Sequence, residues 1–315
     1  MPLKRVPQKF NASIREVAIG VGDKAVKLGG ESVYPLYGFD DPIKNPPKVG
    51  IEVSDKGPNR DLPGLAKFYE GAKSIPEVAK KAAGAKGASF VSLYLESADP
   101  NGDNKSIEEC VKLAKEVADA IAPVPLVVQG CKNEEKDAQL FNKVAESLEG
   151  KNVLFISAKE ANYKQIAVGV VQAYHGKIGA ESAVDLNLCK QLNTVIKQAG
   201  IELDNVIANV GQAAAGYGFE YLISTMDRIK AAALAQNDAF LQVPIITPAG
   251  QEAWGVKEAV TAEADAPEGW GPQEQRGIDM EITTAAALVA AGSNAVILRH
   301  PKSVETISGL VSALV

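Results

Sequence analysis

Short apolar runs rich in β-branched residues recur along the chain, and between them lie segments whose apolar positions fall on a helical period. The runs occupy residues 49–53, 88–95, 125–129, 152–157, 177–181, 205–209, 243–247 and 294–298, with starts 25 to 51 residues apart. Between the second and third, Ile107, Val111, Ala114, Val117 and Ile121 mark one face of a helix. Ser106 with Glu109 three residues on forms a capping-box pattern at its start, and Gly150 and Gly200 stand where later helices should stop. The second, fourth and eighth runs are almost continuously apolar, as strands covered on both faces should be. Eight strand–helix units over about 265 residues predict an α/β fold, a (β/α)8 TIM barrel with an N-terminal β-hairpin extension, rather than a doubly wound sheet of five or six strands.

The beginning of the chain does not share the repeat. Residues 17–24 and 29–35 are expected to form a β-hairpin with a tight turn, and the proline-rich stretch 41–47 leads into the first strand. The expected organisation is therefore residues 1–46 as an extension packed on the barrel's N-terminal mouth and 47–315 as the barrel. A second departure is the loop 262–272, between the seventh strand and its main helix, on the side of a barrel where loops carry function.

Composition narrows the chemistry. Of 315 residues, 46% are hydrophobic and 23% charged, proportions of a soluble globular protein, and no apolar stretch approaches the roughly 20 residues that span a membrane. With 33 basic and 39 acidic residues and no basic cluster, nucleic acid is not an expected partner. Cys110, Cys131 and Cys189 include no CxxC pair, and His175 and His300 are the two histidines, so this chain alone should ligate neither an iron–sulfur cluster nor a zinc ion. The absence of an apolar region near the start and the odd thiol count point to the cytoplasm.

A TIM barrel does its chemistry beyond the C-terminal ends of its strands. There stand Ser54, Asp55, Glu96, Ser97, Asp99, Asn101, Gln129, Cys131, Ser157, Glu181, Asn209, Gln212, Thr247, Arg299 and His300. The set is polar but unreactive. No lysine sits within a strand end as a Schiff-base aldolase needs, Lys132 and Lys159 being already in loops. Glu96 with Glu181 has the form of a glycosidase pair, but carboxylates at such places more often bond to helix starts. The loop 209–218, bearing glycines and opening a helix, suits a phosphate but lacks a Walker lysine. Cys131 reads as a small loop residue and His175 as a cation closing a helix. Trp254, Trp270, Tyr217, Phe219 and Tyr221 give the mouth an aromatic rim, which suits a lid, a flat macrocycle or a protein partner.

The blocks from Asn209-Val-Gly-Gln to Lys230, from Thr247-Pro-Ala-Gly-Gln to Trp254, and from Trp270-Gly-Pro-Gln-Glu-Gln-Arg to Glu281, with Leu298-Arg-His-Pro301, resemble the small (delta) subunit of the corrinoid iron–sulfur protein of the reductive acetyl-CoA pathway. The resemblance covers the whole chain. It implies a non-catalytic subunit of a methyl carrier, whose barrel mouth covers the upper face of a corrinoid held by a large subunit that also carries the [4Fe-4S] cluster. The implied partners are that large subunit, in a heterodimer, a methyltetrahydrofolate–corrinoid methyltransferase, and carbon monoxide dehydrogenase/acetyl-CoA synthase. No family motif fixes contact residues, so barrel geometry supplies them: Asn209, Gln212, Thr247, Arg299 and His300 are expected to meet the cofactor, with none catalytic and none ligating metal. Two other readings remain, a pterin-binding methyltransferase in which Asp55, Glu96 and Asn209 hold the pterin, and a self-sufficient lyase or aldolase.

Overall fold

The computed structural model describes residues 6–315. Strands β1 (Val17–Ile19) and β2 (Val26–Leu28) form an antiparallel ribbon with Val17 opposite Leu28 and Ile19 opposite Val26. Then follow β3 (Lys48–Ser54), α1 (Pro63–Phe68), α2 (Ile75–Ala83), β4 (Phe90–Tyr94), α3 (Ile107–Ile121), β5 (Leu126–Gln129), α4 (Glu134–Ser147), β6 (Leu154–Ala158) and α5 (Tyr163–Ile166). The second half runs β7 (Lys177–Glu181), α6 (Leu186–Gln198), β8 (Val206–Asn209), α7 (Phe219–Leu234), β9 (Ile246–Thr247), α8 (Ala249–Ala253), α9 (Lys257–Val260), α10 (Gln273–Ala290), β10 (Ala295–Leu298) and α11 (Pro301–Leu314). Strands β3 to β10 are parallel in the order β8-β7-β6-β5-β4-β3-β10-β9, and a bridge between Ala208 and Ile245 joins the two ends. This is the eight-stranded barrel that the alternation predicted, with its helices outside.

Local chemistry sets the element ends. Ser106 and Glu109 form the expected capping box on α3, and Ser74 with Glu77 forms another on α2. Asp185 caps α6 by accepting from the amides of Asn187 and Leu188. Two expectations need correction. The seventh strand shrinks to Ile246–Thr247, because Pro244 has no N–H to give and the amide of Ile245 donates instead to Asn294 Oδ1 at 2.9 Å. The hairpin's second strand lies at Val26–Leu28 rather than 29–35, since Gly29 and Gly30, both at positive φ, turn the chain out of the ladder.

The ribbon fills the barrel's N-terminal end. Val17, Ile19, Val26 and Leu28 join Phe90, Val127, Leu154, Ile207, Ile246 and Ile297 in one buried cluster, so the inward strand residues pack on the hairpin. Phe90 fits because Gly50 on the neighbouring strand leaves room: a Cβ there would lie 2.1 Å from the ring. Asn152 donates to the carbonyls of Ala18 and Gly20, fixing the ribbon to the start of β6. A buried ion pair makes a second tie, Lys230 on α7 reaching Glu31 at 2.8 Å and Asn294 at 2.9 Å. A much larger cluster lies between the outer faces of the strands and the helices.

Candidate functional site

At the C-terminal mouth the strands deliver two hydrogen-bond networks. The first centres on Glu52, the one charged residue among the buried positions of β3. Its Oε1 accepts from Arg299 Nε at 2.6 Å, and its Oε2 accepts from Gln129 Nε2 at 2.8 Å and Gln251 Nε2 at 3.0 Å. Gln129 also donates to Ser92, and its Oε1 accepts from Gln251. Arg299 remains about one-third exposed, and although burial opposes its charge, the Glu52 carboxylate holds its pKa above the usual value. The floor of the mouth is thus a carboxylate whose acceptors are already taken, beside a cation with N–H groups to spare.

The second network lies around β6 to β8. Asn209 donates to Ser157 Oγ at 2.7 Å and to Glu181 at 3.4 Å, while its Oδ1 accepts from the amide of Gly211. Lys159 stands 3.6 Å from Glu181. Ser157, Lys159 and Glu181 line a small polar cavity together with Tyr94, Lys132, Asp137 and Gln212, Asn209 lies buried behind Ser157 and Glu181, and Gln129 and Gln251 form the cavity's wall toward the first network. Burial pushes Tyr94 far above the usual phenol range, helped by Glu96 and Glu52. The backbone next to this cavity is strained, for Lys132, Ala183 and the β-branched Val184 all hold positive φ.

The remaining strand-end residues are occupied. Asp55 accepts from both the amide and the hydroxyl of Ser97, and Glu96 accepts from Ser54. Glu96 and Glu181 end strands three places apart in the sheet and bond to side chains, not to helix starts. Cys131 donates to Asp137, and burial, reinforced by that carboxylate, pushes its thiol up to about 12, so it is no thiolate at neutral pH. His175 follows the helical turn after α5 in a left-handed conformation, its amide donating to Val171.

Of the five residues expected at the cofactor, Gln212 lines the polar cavity, Asn209 lies buried behind it, bonded to Ser157 and Glu181, and Arg299 stands at the adjoining floor. Thr247 is buried, with its hydroxyl turned back 2.8 Å to Ser293, in the loop that precedes β10. His300 caps α11, its Nδ1 accepting from the amide of Lys302, and is also buried. That contact fixes the tautomer, so Nε2–H points to Glu274 Oε1 at 3.3 Å. Trp254 stacks on the imidazole at 5.9 Å and 21°. Glu274 accepts in turn from the amides of Gly64 and Leu65 at the start of α1. Glu281, fully buried, accepts from the amides of Arg299 and His300, and burial pushes its pKa up. Sequence reasoning missed Glu52, Gln251, Glu274 and Glu281; the signal for Glu52 was a lone carboxylate in an apolar strand.

Two measurements check this rim. Burial outweighs the pull of Glu274 and lowers the pKa of His300 below 6.5, so the unfolded chain binds its proton more readily. The stability His300 contributes is full above its unfolded pKa and is lost as pH falls through the lower folded value. Urea midpoints should therefore rise from pH 5 to 7, and His300→Gln should flatten the rise. Gly277→Ala should destabilise although alanine favours helices by about 1 kcal/mol, because its Cβ would lie 2.2 Å from the Trp254 ring. Overpacking of about 1–3 kcal/mol wins, and tryptophan fluorescence should shift as the ring leaves His300.

The loop 262–272 is held by Arg276, a second group the sequence left unmarked. Its Nε donates to the carbonyl of Glu258 at 2.7 Å, Nη1 to Gly271 at 2.6 Å and Nη2 to Thr261, and its guanidinium lies 5.6 Å from the Trp270 ring. Among the described residues no three His, Cys, Asp or Glu side chains converge where they could hold a metal ion, and no helix is long and apolar enough to cross a membrane.

The fold is a (β/α)8 barrel similar to that of dihydropteroate synthases. The enzyme from Vibrio fischeri superposes with a TM-score of 0.58 at 11% identity, covering 94% of this chain and 97% of that one; the Xanthomonas albilineans enzyme gives 0.59 at 12%, covering 95% and 98%. At such identity the likeness concerns architecture alone. The chain belongs to the CO dehydrogenase/acetyl-CoA synthase delta subunit family, whose model matches residues 16–308. Delta subunits of the acetyl-CoA decarbonylase/synthase complex from Archaeoglobus fulgidus and Methanocaldococcus jannaschii are each 32% identical over 98% of this chain, which spans 70% and 75% of their lengths.

Proposed function

We propose that this chain is the non-catalytic small subunit of a corrinoid iron–sulfur methyl carrier, its barrel mouth covering the upper face of a corrinoid that a large subunit holds. When bound, the corrinoid supplies the cobalt that accepts and releases a methyl group. The residues here fit such a cover. The observation that carries the reading is the mouth's composition within this family: amide, guanidinium and hydroxyl groups, with the carboxylates taken up by partners. A corrinoid's rim of primary amides both donates and accepts, and Arg299 and Gln212 would meet it by weak hydrogen bonds, each about 1 kcal/mol net, with Asn209, buried and bonded to Ser157 and Gly211, holding the wall behind them. The [4Fe-4S] cluster belongs, on this reading, to the large subunit, and a methyltransferase and the acetyl-CoA synthase would be served in turn. The pterin reading has less support, because Asp55 and Asn209, which would hold a pterin, are already bonded to Ser97, Ser157 and Gly211.

Co-expression with a large subunit, followed by visible absorption and metal analysis, tests the reading. The expected result is a one-to-one complex with a corrinoid spectrum, while this chain alone is colourless. Stoichiometric cobalt in the isolated chain, or its turnover of methyltetrahydrofolate, would overturn the proposal. Arg299→Ala should leave the cobalt content unchanged but alter the rate at which a small alkyl halide methylates the reduced complex by severalfold. Loss of all corrinoid from that complex would place the cofactor in the wrong subunit.

A further inference from the structure

One segment of the rim carries most of the chain's excess charge. Residues 251–276 hold six carboxylates, Glu252, Glu258, Glu263, Asp265, Glu268 and Glu274, against two cations, Lys257 and Arg276: a net −4 in a chain whose total is −6. Glu263, Asp265 and Glu268 are exposed and, among the described residues, in no ion pair. They do not chelate, since no three acids among the described residues converge on a metal-sized site. They form an extended field.

Beside this field stand the most exposed aromatics of the mouth, Tyr217 at 48% and Tyr221 at 68%, with Val260 at 55%. Tyr217 is tied to the segment through a 2.7 Å hydrogen bond to Glu258. The surface is also ordered in advance. Arg276 spends all three of its guanidinium nitrogens on carbonyls at the two ends of the loop, so the acids are presented on a fixed frame and little entropy is lost when something lands on them. Exposed apolar anchors within a field of one sign are the features of a protein–protein contact of opposite charge.

From these features we infer that the acidic loop with Tyr217, Tyr221 and Val260 is where the corrinoid-bearing domain of the partner lands on the barrel, through a face rich in lysine and arginine. This rests on the reading under Proposed function and adds where the partner docks. The loop lies on the mouth side, and Glu274 at its end is bonded to His300 at the rim, so a domain seated there overhangs the mouth. The charge steers the approach, and the tyrosines delay departure.

A carbodiimide that couples carboxylates to amines at zero length tests the contact in the assembled complex. The expected result is amide links from Glu263, Asp265 or Glu268 to lysines of the large subunit's corrinoid domain, fading as salt rises to about 0.5 M, where the Debye length is only a few ångströms. Stopped-flow association of the two subunits should slow about tenfold at low salt in E263Q/D265N/E268Q and match wild type at high salt. The same charge change on the barrel's flank, E108Q/E116Q/E146Q, should leave the rate within twofold, and Tyr221→Ala should raise the dissociation rate instead. Equal rates for wild type and the loop variant, or coupling of the large subunit only to other carboxylates, would overturn the docking site while the complex itself stands. Failure of the wild-type chain to form any complex would overturn the underlying reading.

Discussion

Lys230→Met is expected to cost about 3–5 kcal/mol, the loss typical when one partner of a buried pair is removed and the other keeps its charge. Lys230 is 2% exposed and Glu31 11%, and the lysine also donates to Asn294, so three groups lose their arrangement together. Urea unfolding should show the midpoint falling steeply with little change in slope. The penalty should also depend on pH. Burial pushes the Glu31 carboxyl up, but Lys230 and Asn294 outweigh it and hold its pKa below the ordinary value. A lowered carboxylate contributes stability above its unfolded pKa and loses it as pH falls through the folded value, so wild type and variant should converge in acid. Adding Glu31→Gln to the variant should recover most of the loss at neutral pH. A simple deficit in lysine packing would give neither the convergence nor the recovery.

Phe90→Ala should cost a similar 3–5 kcal/mol, because the ring is fully buried between the hairpin and the inward faces of the strands. The cavity sits where a Cβ on Gly50 would fall, which predicts a reversal of sign. Gly50→Val alone should be strongly destabilising, since its Cβ would lie 2.1 Å from the ring, yet in the Phe90→Ala background it should restore part of the loss by filling the void. Thermal unfolding of the four-member cycle reads this directly. Two independent destabilisations that simply add would refute the packing described here.

The strands were legible because each buries both faces, leaving apolar runs with little else in them, and the helices because their caps and period are local. What sequence could not place was decided between distant segments. Pro244 announces an interrupted strand, but that Ile245 turns its amide to Asn294 depends on a residue 49 positions away. At the mouth, position along a strand singled out Asn209 and Arg299 but could not tell which strand-end groups face inward. Thr247 stands at the right place and turns its hydroxyl the other way, toward Ser293. Glu52, the hub of the floor, stood in plain view as the one carboxylate in its strand, and its partners come from two other strand ends and from α8. Arg276 looked like any helical arginine until the carbonyls it gathers were seen.

The hairpin at the other end of the barrel has a consequence for traffic. With Val17, Ile19, Val26 and Leu28 filling that end, the barrel is a cul-de-sac: whatever meets the mouth must also leave by it. Two visitors cannot pass each other there. On the function proposed above, donor and acceptor would have to be kept apart by order of arrival, like callers at a house with a single door, and the time for which the doorway stays occupied would become a limit on throughput.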